Sequence, residues 1–176
     1  MPDKSSTIYF GGGCFWCTEA VFELFKGKGV VEVLPGYAGG TAKNPTYEEV
    51  CTGATGHAEV LKIVFLEEKI SLDTLLEAFF AMHDPTSLNK QGNDVGTQYR
   101  SIILCTSSEQ KEIVEKYIKK VLKDYQNKIV TEVVMLQEFY PAEDYHISYY
   151  KKHSGDMYCS LVISPKIEKI RKKFEV

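Results

Sequence analysis

The sequence lacks any run of about 18 apolar residues, the length that a membrane-spanning helix requires, and its start, Met-Pro-Asp-Lys-Ser-Ser, lacks the apolar segment of a signal peptide. It also lacks an excess of positive charge, since 21 lysines and arginines stand against 24 aspartates and glutamates. Nucleic-acid binding needs a clustered positive surface, and the basic run 166–173 is typical of a solvated helix face. We therefore predict a cytoplasmic protein with no nucleic-acid or membrane partner.

A framework of structural disulfides and a complete metal-ligand motif are missing as well. The five cysteines, at positions 14, 17, 51, 105 and 159, are odd in number and do not form the framework of a disulfide-stapled protein. A structural zinc site needs four ligands, and neither a second C-x-x-C pair nor two closely spaced histidines is present. We therefore predict free thiols in a reducing compartment and no metal.

No internal repeat, low-complexity tract or linker divides the chain, so we predict a single domain over residues 1–176. The predicted strands are 7–10, 30–34, 58–66, 99–106 and 131–137; the predicted helices run from 14 to Gly27 or Gly29, over 71–83 and 108–127, and from Pro165, with a short helical turn at 47–51. Two β-α-β passes with helices on one sheet face predict an α+β fold. We expect a two-layer sandwich with a ferredoxin-like (split β-α-β) core, a mixed sheet and an irregular C-terminal tail.

Two segments do not fit this alternation. Residues 84–96, DPTSLNKQGNDVG, form a polar loop that is longer than the typical connection of about 4 to 6 residues, and such loops are often functional. The segment 138–176 is rich in aromatic residues and shows no regular period until Pro165. We therefore treat it as a separate C-terminal segment of the same domain.

The stretch GGGCFWC, residues 11–17, joins the first predicted strand to the first predicted helix. Cys14 stands at or beside the helix N-terminus, where unpaired N–H groups and the helix dipole favour an anion. The pKa of a free cysteine is about 8.5, so this position predicts a lowered pKa and a reactive thiolate. Phe15 and Trp16 either pack in the core or line an apolar pocket beside the sulfur. Cys14 and Cys17 have the spacing of a dithiol redox pair, and the spacing leaves open whether Cys17 takes part.

Longer motifs carry a resemblance to a known family. GGGCFWCTEAVF, PGYAGG, NPTYEEVCTGATGHAEV, HDPTSLNKQGNDVGTQYRS and MYCS, spread from residue 10 to residue 160, are similar to the A-type peptide methionine sulfoxide reductases. The resemblance implies reduction of the S epimer of methionine sulfoxide, free or in proteins, and a two-layer α+β fold with its site at the first helix N-terminus. It also implies that Phe15 and Trp16 form the pocket for the substrate methyl group.

The same resemblance implies a chemical role for five further residues. Cys14 matches the nucleophile, which attacks the sulfoxide sulfur and becomes a sulfenic acid. Glu59 matches the acid, and a carboxyl group among aromatic residues has a raised pKa that keeps it protonated. Tyr47 and Tyr99 match the tyrosines that bind the sulfoxide oxygen, and Asp94 matches an aspartate that holds a water near the sulfur.

A second thiol must then reach the sulfenic acid. Cys159, in the segment 138–176, resembles the family's resolving cysteine, although the Asp-Met pair at 156–157 departs from the usual Gly-Tyr-Cys context. Cys17 is the alternative, and it could form the disulfide directly if the two Cα atoms lie about 4.4 to 6.8 Å apart.

The other two thiols, Cys51 and Cys105, are predicted to be packed side chains. The resemblance implies thioredoxin as the external reductant and no bound cofactor, and we expect a monomer. The competing function is a thiol-disulfide oxidoreductase that acts on protein disulfides through Cys14 and Cys17.

Overall fold

The computed structural model describes residues 3–176, which form an α+β fold. The strands of this part of the chain are β1 (Ser5–Gly11), β2 (Val30–Ala38), β3 (Ala58–Leu66), β4 (Lys90–Gln91), β5 (Asp94–Val95), β6 (Ile102–Cys105), β7 (Glu132–Met135) and β8 (Phe139–Pro141). Its α-helices are α1 (Phe15–Glu23), α2 (Tyr47–Cys51), α3 (Leu72–Met82), α4 (Ser108–Val121), α5 (Tyr149–His153) and α6 (Ser164–Phe174). A π-helical turn, Cys159–Ile163, leads directly into α6.

The main sheet is mixed. Its strand order is β7-β6-β1-β3-β2-β8, while β4 and β5 form a separate hairpin. Neighbouring strands in the main sheet are antiparallel, except that β6 and β7 are parallel. Because β3 lies between β1 and β2 and is antiparallel to both, the connection through α1 joins two parallel strands. The predicted α+β class and mixed sheet are confirmed.

The main core lies between one face of this sheet and the helices. Leu61, Ile63 and Phe65 alternate along β3 and are all buried in this core, as their period-two spacing predicted. Val60 points to the opposite face, where it belongs to a smaller apolar cluster. None of the helices within residues 3–176 has the length and apolar character needed to cross a membrane.

Several element boundaries match the sequence patterns. β3 and α2 have the predicted bounds, and Ser71 caps α3 by accepting a hydrogen bond from the Thr74 N–H at 3.1 Å. The predicted end of β2 before Pro35 is wrong, because the strand continues to Ala38, where it pairs with β8. A Cβ atom at Gly36 would lie 2.4 Å from the Tyr140 carbonyl oxygen, so glycine is what permits this pairing.

The two irregular segments are more ordered than predicted. The loop 84–96 contains the β4-β5 hairpin, and β6 begins only at Ile102 because residues 97–99 form a 3₁₀ turn. The prediction of an irregular C-terminal tail is wrong. β8 joins the main sheet, and Ile163 and Ile170 are fully buried in the main core. Long-range burial of these aliphatic side chains therefore orders the tail.

Candidate active site

The turn between β1 and α1 places Cys14 at the N-cap of α1. Gly13 has a φ of +100°, and a Cβ atom there would lie 2.8 Å from the Gln91 side chain, so this turn requires glycine. The carbonyl oxygen of Cys14 accepts a hydrogen bond from the Cys17 N–H at 3.1 Å, which begins the first turn of α1. The predicted position of Cys14 at a helix N-terminus is confirmed.

The predicted lowering of the Cys14 pKa is wrong. The residue is only 8% exposed, and this burial raises the pKa of its thiol well above the usual range, with further increases from the charges of Glu59 and Cys17. Hydrogen bonds from the Trp16 backbone N–H and the Tyr158 hydroxyl lower the pKa, but they do not offset the loss of water. The resting thiol is therefore protonated near neutral pH.

Glu59 lies on β3 and is 1% exposed. Its Oε1 accepts a hydrogen bond from the Phe15 backbone N–H at 3.1 Å, and its Oε2 has no partner within residues 3–176. Burial raises the pKa of Glu59 to about 8, the Asp94 charge adds to this, and the Phe15 hydrogen bond opposes it. The predicted raised pKa is confirmed, so the carboxyl group is mostly protonated at pH 7.

Tyr47 and Tyr99 lie on two different elements, and both are close enough to Glu59 for its charge to act on them. Tyr47 is the first residue of α2, and Tyr99 ends the 3₁₀ turn before β6; both are partly buried. Burial raises the pKa of each hydroxyl, and the nearby Glu59 charge raises it further. Asp94, in the hairpin, acts on the pKa of both Glu59 and Tyr99. The structure therefore brings these four residues together.

Phe15 and Trp16 occupy different surroundings at the start of α1. Phe15 is fully buried and packs against Tyr37 and Tyr47, with ring centroids 5.7 and 6.4 Å apart. Trp16 is partly exposed and stacks on Tyr149 at 3.6 Å with an interplanar angle of 4°. The two side chains thus lie beside Cys14 within a larger aromatic cluster.

Two site residues were not found from the sequence. His146 is 1% exposed, and its Nδ1 accepts a hydrogen bond from the Trp16 indole N–H at 3.0 Å. Burial lowers the pKa of His146, so the ring is neutral and carries its proton on Nε2. The Tyr158 hydroxyl donates to Asp94 Oδ2 at 2.8 Å and lies 3.7 Å from the Cys17 sulfur. Their only sequence signal is the high aromatic content of the C-terminal segment.

The five cysteines are all free thiols and fall into two groups. Cys14, Cys17 and Cys159 are buried and belong to the main core. Cys105 is packed in β6, as predicted, whereas Cys51 is exposed at the end of α2, so the prediction of a packed thiol there is wrong. Within residues 3–176, no cluster of three or more histidine, cysteine or carboxylate side chains is arranged to hold a metal ion.

Comparison with known proteins gives matches over almost the whole chain. A family model described as peptide methionine sulfoxide reductase matches residues 6–176. The peptide methionine sulfoxide reductase MsrA of Saccharolobus solfataricus is 57% identical over 164 residues, which cover 93% of this chain and 92% of that protein.

Solved structures agree with this assignment. Mxr1 from Saccharomyces cerevisiae in its reduced form has a TM-score of 0.84 at 35% identity, and the match covers 90% of this chain and 91% of that one. Mxr1 in complex with Trx2 has a TM-score of 0.61 at 25% identity, with 85% and 87% covered. Because the family model spans nearly every residue described above, the chain belongs to the peptide methionine sulfoxide reductase family.

Proposed function

We propose that this family member reduces the S epimer of methionine sulfoxide by attack of the Cys14 thiolate on the sulfoxide sulfur. The observation that carries the proposal is the buried pair of Cys14 and Glu59, a thiol and a carboxyl group of raised pKa, in which the Glu59 charge raises the pKa of the thiol. A sulfoxide oxygen is a poor leaving group until it is protonated, and a positioned acid of matched pKa supplies that proton. Glu59 holds its proton at any pH below about 8.

The chemical step balances within the site. The Cys14 sulfur bonds to the sulfoxide sulfur while the oxygen takes a proton from Glu59. The oxygen then passes to Cys14 as methionine leaves, which gives the sulfenic acid. As Glu59 gives its proton to the oxygen, the resulting carboxylate takes the proton of the attacking Cys14 thiol, so the step consumes no external proton.

Tyr47 and Tyr99 bind the sulfoxide oxygen in this proposal. Their raised pKa values keep both hydroxyls protonated and able to donate. Both respond to the Glu59 charge, which supports a shared location around the oxygen. Such preorganised donors stabilise the charge that develops on an oxygen in the transition state.

Phe15 and Trp16 hold the substrate methyl group. The stacking on Tyr149 and the hydrogen bond to His146 Nδ1 fix the orientation of the Trp16 ring. Neutral His146 can only accept at Nδ1 when Nε2 carries the proton, so its lowered pKa supports this arrangement. A fixed aromatic wall favours a methyl group over water beside the sulfur.

Asp94 orders a polar group beside the reacting sulfur. The Tyr158 hydroxyl donates its proton to Asp94 at 2.8 Å, lies 3.7 Å from the Cys17 sulfur and acts on the pKa of the Cys14 thiol. The contact of Asp94 with a hydroxyl close to both sulfurs supports its proposed role, which is to hold a water near the reacting sulfur.

The substrate distinguishes this activity from thiol-disulfide exchange on other proteins. With dithiothreitol as reductant, the chain is expected to reduce a peptide that contains methionine-S-sulfoxide and to leave the R epimer unchanged. It should not accelerate the reduction of insulin disulfides, because Cys14 and Cys17 are buried. Chiral chromatography of the products and insulin turbidity are the measurements. Insulin reduction without sulfoxide reduction would support the exchange protein instead.

Cys159 forms the disulfide that an external reductant then reduces. The known complex of Mxr1 with Trx2 supports thioredoxin in that role. No bound cofactor is needed for this chemistry.

Replacing Cys159 with alanine tests this role. Cys159→Ala is expected to form about one methionine per chain without reductant and to lose thioredoxin-driven cycling, because the Cys14 sulfenic acid then lacks the thiol that converts it to a disulfide for thioredoxin to reduce. Quenched-flow counting of methionine and NADPH consumption with thioredoxin and its reductase are the measurements. Unchanged cycling would show that thioredoxin acts on Cys14 or Cys17 directly.

The finer description of the fold is also a proposal. The position of β3 between the parallel β1 and β2 supports a split β-α-β core of the ferredoxin-like kind. Burial of the segment 138–176 against α1 supports one catalytic domain over residues 1–176.

A further inference from the structure

Arg100 joins three backbone segments around the site through hydrogen bonds of its guanidinium group. Its Nη1 donates to the Thr97 carbonyl oxygen at 3.0 Å, and its Nη2 donates to the Gly56 and Gly39 carbonyl oxygens at 3.0 and 3.5 Å. A guanidinium group can reach several acceptors at once, because its five N–H groups lie in one plane and point in fixed directions. Arg100 therefore fixes the spacing of the three segments.

Two of these segments carry residues that are proposed to act on the sulfoxide oxygen. Thr97 and Tyr99 belong to the same 3₁₀ turn, and Arg100 is the residue that follows it. Gly56 lies three positions before Glu59, on the approach to β3. The hydrogen bonds of one guanidinium group thus connect the backbone that carries Tyr99 to the backbone that carries Glu59.

Tyr47, the other tyrosine near Glu59, is held by different contacts. Its N–H donates to Glu143 Oε2 at 3.2 Å, and α2 has its own capping box at its N-terminus. Neither contact involves Arg100. Loss of the Arg100 hydrogen bonds should therefore displace Tyr99 and leave Tyr47 in place.

Arg100 acts through geometry rather than through its charge. Its side chain is only 11% exposed, and its Nε lies 3.3 Å from the Glu132 Oε1 on β7, which balances the charge. The pKa of Glu59 is set by burial, by the Phe15 hydrogen bond and by the Asp94 charge. Loss of the guanidinium group should therefore leave that pKa in place.

We propose that Arg100 is a positioning residue that holds the Tyr99 hydroxyl and the Glu59 carboxyl group at the separation at which both meet the sulfoxide oxygen. This inference rests on the proposed function, in which Tyr99 binds that oxygen and Glu59 protonates it. Donors that are fixed before the reaction stabilise charge on an oxygen without reorganising, and a displacement of about 1 Å can cost about 10²-fold in rate. Arg100 thus contributes to the rate although it bonds only to protein groups.

Arg100→Lys tests this role, with a peptide that contains methionine-S-sulfoxide as the substrate. Lysine keeps the positive charge but lacks the planar group that reaches separate carbonyl oxygens. The single-turnover rate of methionine formation should fall by roughly 10- to 100-fold. The Kd of the peptide should change by less than about 3-fold, because the tyrosine contact strengthens mainly as charge develops on the oxygen. The decrease in chemical rate as Glu59 loses its proton, at about pH 8, should keep its midpoint.

The two tyrosines separate positioning from a general loosening of the fold. Tyr99→Phe and Tyr47→Phe are each made alone and in combination with Arg100→Lys, and each alone should slow the chemical step. In the Arg100→Lys background, Tyr99→Phe should cost less than about 3-fold more, because its hydroxyl is already displaced, whereas Tyr47→Phe should keep its full effect. A merely structural defect would change the two tyrosine effects alike.

Arg171 is the matched control, because it is the only other arginine in the sequence and is exposed on α6. Arg171→Lys should keep the wild-type rate. In wild-type protein labelled with ¹⁵N-arginine, NMR should show separate, slowly rotating Nη groups for Arg100 and averaged signals for Arg171. This measurement tests the proposal even if Arg100→Lys does not fold.

Four results would each overturn the positioning role while leaving the proposed function intact. They are an unchanged chemical rate in Arg100→Lys, a shifted pH midpoint in that variant, a full additional effect of Tyr99→Phe in that background, and averaged Nη signals for Arg100 in the wild type. Failure of reduced wild-type protein to form any methionine would instead overturn the proposed function.

Discussion

Cys14→Ser is expected to reduce the turnover of methionine-S-sulfoxide by at least about 10⁴-fold, to the background rate. A serine hydroxyl is a far weaker nucleophile than a thiolate, and it cannot form a sulfenic acid. Cys17 is one turn away but lies inside α1, so it does not replace Cys14 at the N-cap. Methionine formed per chain in a single turnover is the measurement.

The control for this variant is Cys105→Ala, which removes another buried thiol on β6. It should lose stability through the cavity that it leaves but keep the chemical rate. Turnover by Cys14→Ser above background, with dithiothreitol present and the fold verified by circular dichroism, would contradict the assignment of Cys14 as the nucleophile.

Glu59→Gln is expected to slow the single-turnover chemical step by about 10² to 10⁴-fold, the range for loss of a general acid, with a much smaller effect on substrate binding. Glutamine keeps the shape of the side chain and can still accept from the Phe15 N–H through its carbonyl oxygen. It cannot transfer a proton to the sulfoxide oxygen, so the loss should fall on the rate of chemistry.

The pH dependence provides the second readout for Glu59. Its pKa is raised to about 8, so the proton-bearing form is present below this pH and is lost as the pH rises through it. The wild-type chemical rate should therefore fall above pH 8 even though thiolate formation at Cys14 increases. Glu59→Gln should lack this fall.

Glu19→Gln is the matched control for that profile. Glu19 is also a buried carboxyl group of raised pKa, but it accepts a hydrogen bond from the Ser148 backbone N–H and does not face the thiol. The Glu19→Gln variant should keep the decrease in chemical rate above pH 8. If Glu59→Gln has an unchanged chemical rate, or if its chemical rate still decreases above pH 8, Glu59 is not the acid.

Local patterns predicted the parts of the site that depend on neighbouring residues. The glycine turn placed Cys14 at the start of α1, and alternation along β3 placed Leu61 and its neighbours in the core. The roles of Glu59, Tyr47 and Tyr99 came from the family resemblance, because nothing in their own neighbourhood separates them from other carboxylates and tyrosines.

The features of the site that the sequence did not predict depend on contacts between distant parts of the chain. His146 meets Trp16 across 130 positions, and Tyr158 meets Cys17 across 141. The Cys14 pKa was predicted with the wrong sign for the same reason: the helix N-terminus is visible in the sequence, whereas the burial that outweighs it is not. The order of the C-terminal segment likewise arises from packing on α1.

The exposure pattern around Cys159 also bears on the departure from the family context at 156–157. Met157 is 77% exposed, and Asp156 is exposed with its carboxylate near the side chains of Tyr149 and His153, whereas Cys159 is fully buried. The departure from the Gly-Tyr-Cys context therefore falls on positions where a substitution costs little, and the two residues that match it, Tyr158 and Cys159, are those in contact with the core. The Asp-Met pair at 156–157 can therefore differ from that context without changing the packing of the Cys159 thiol.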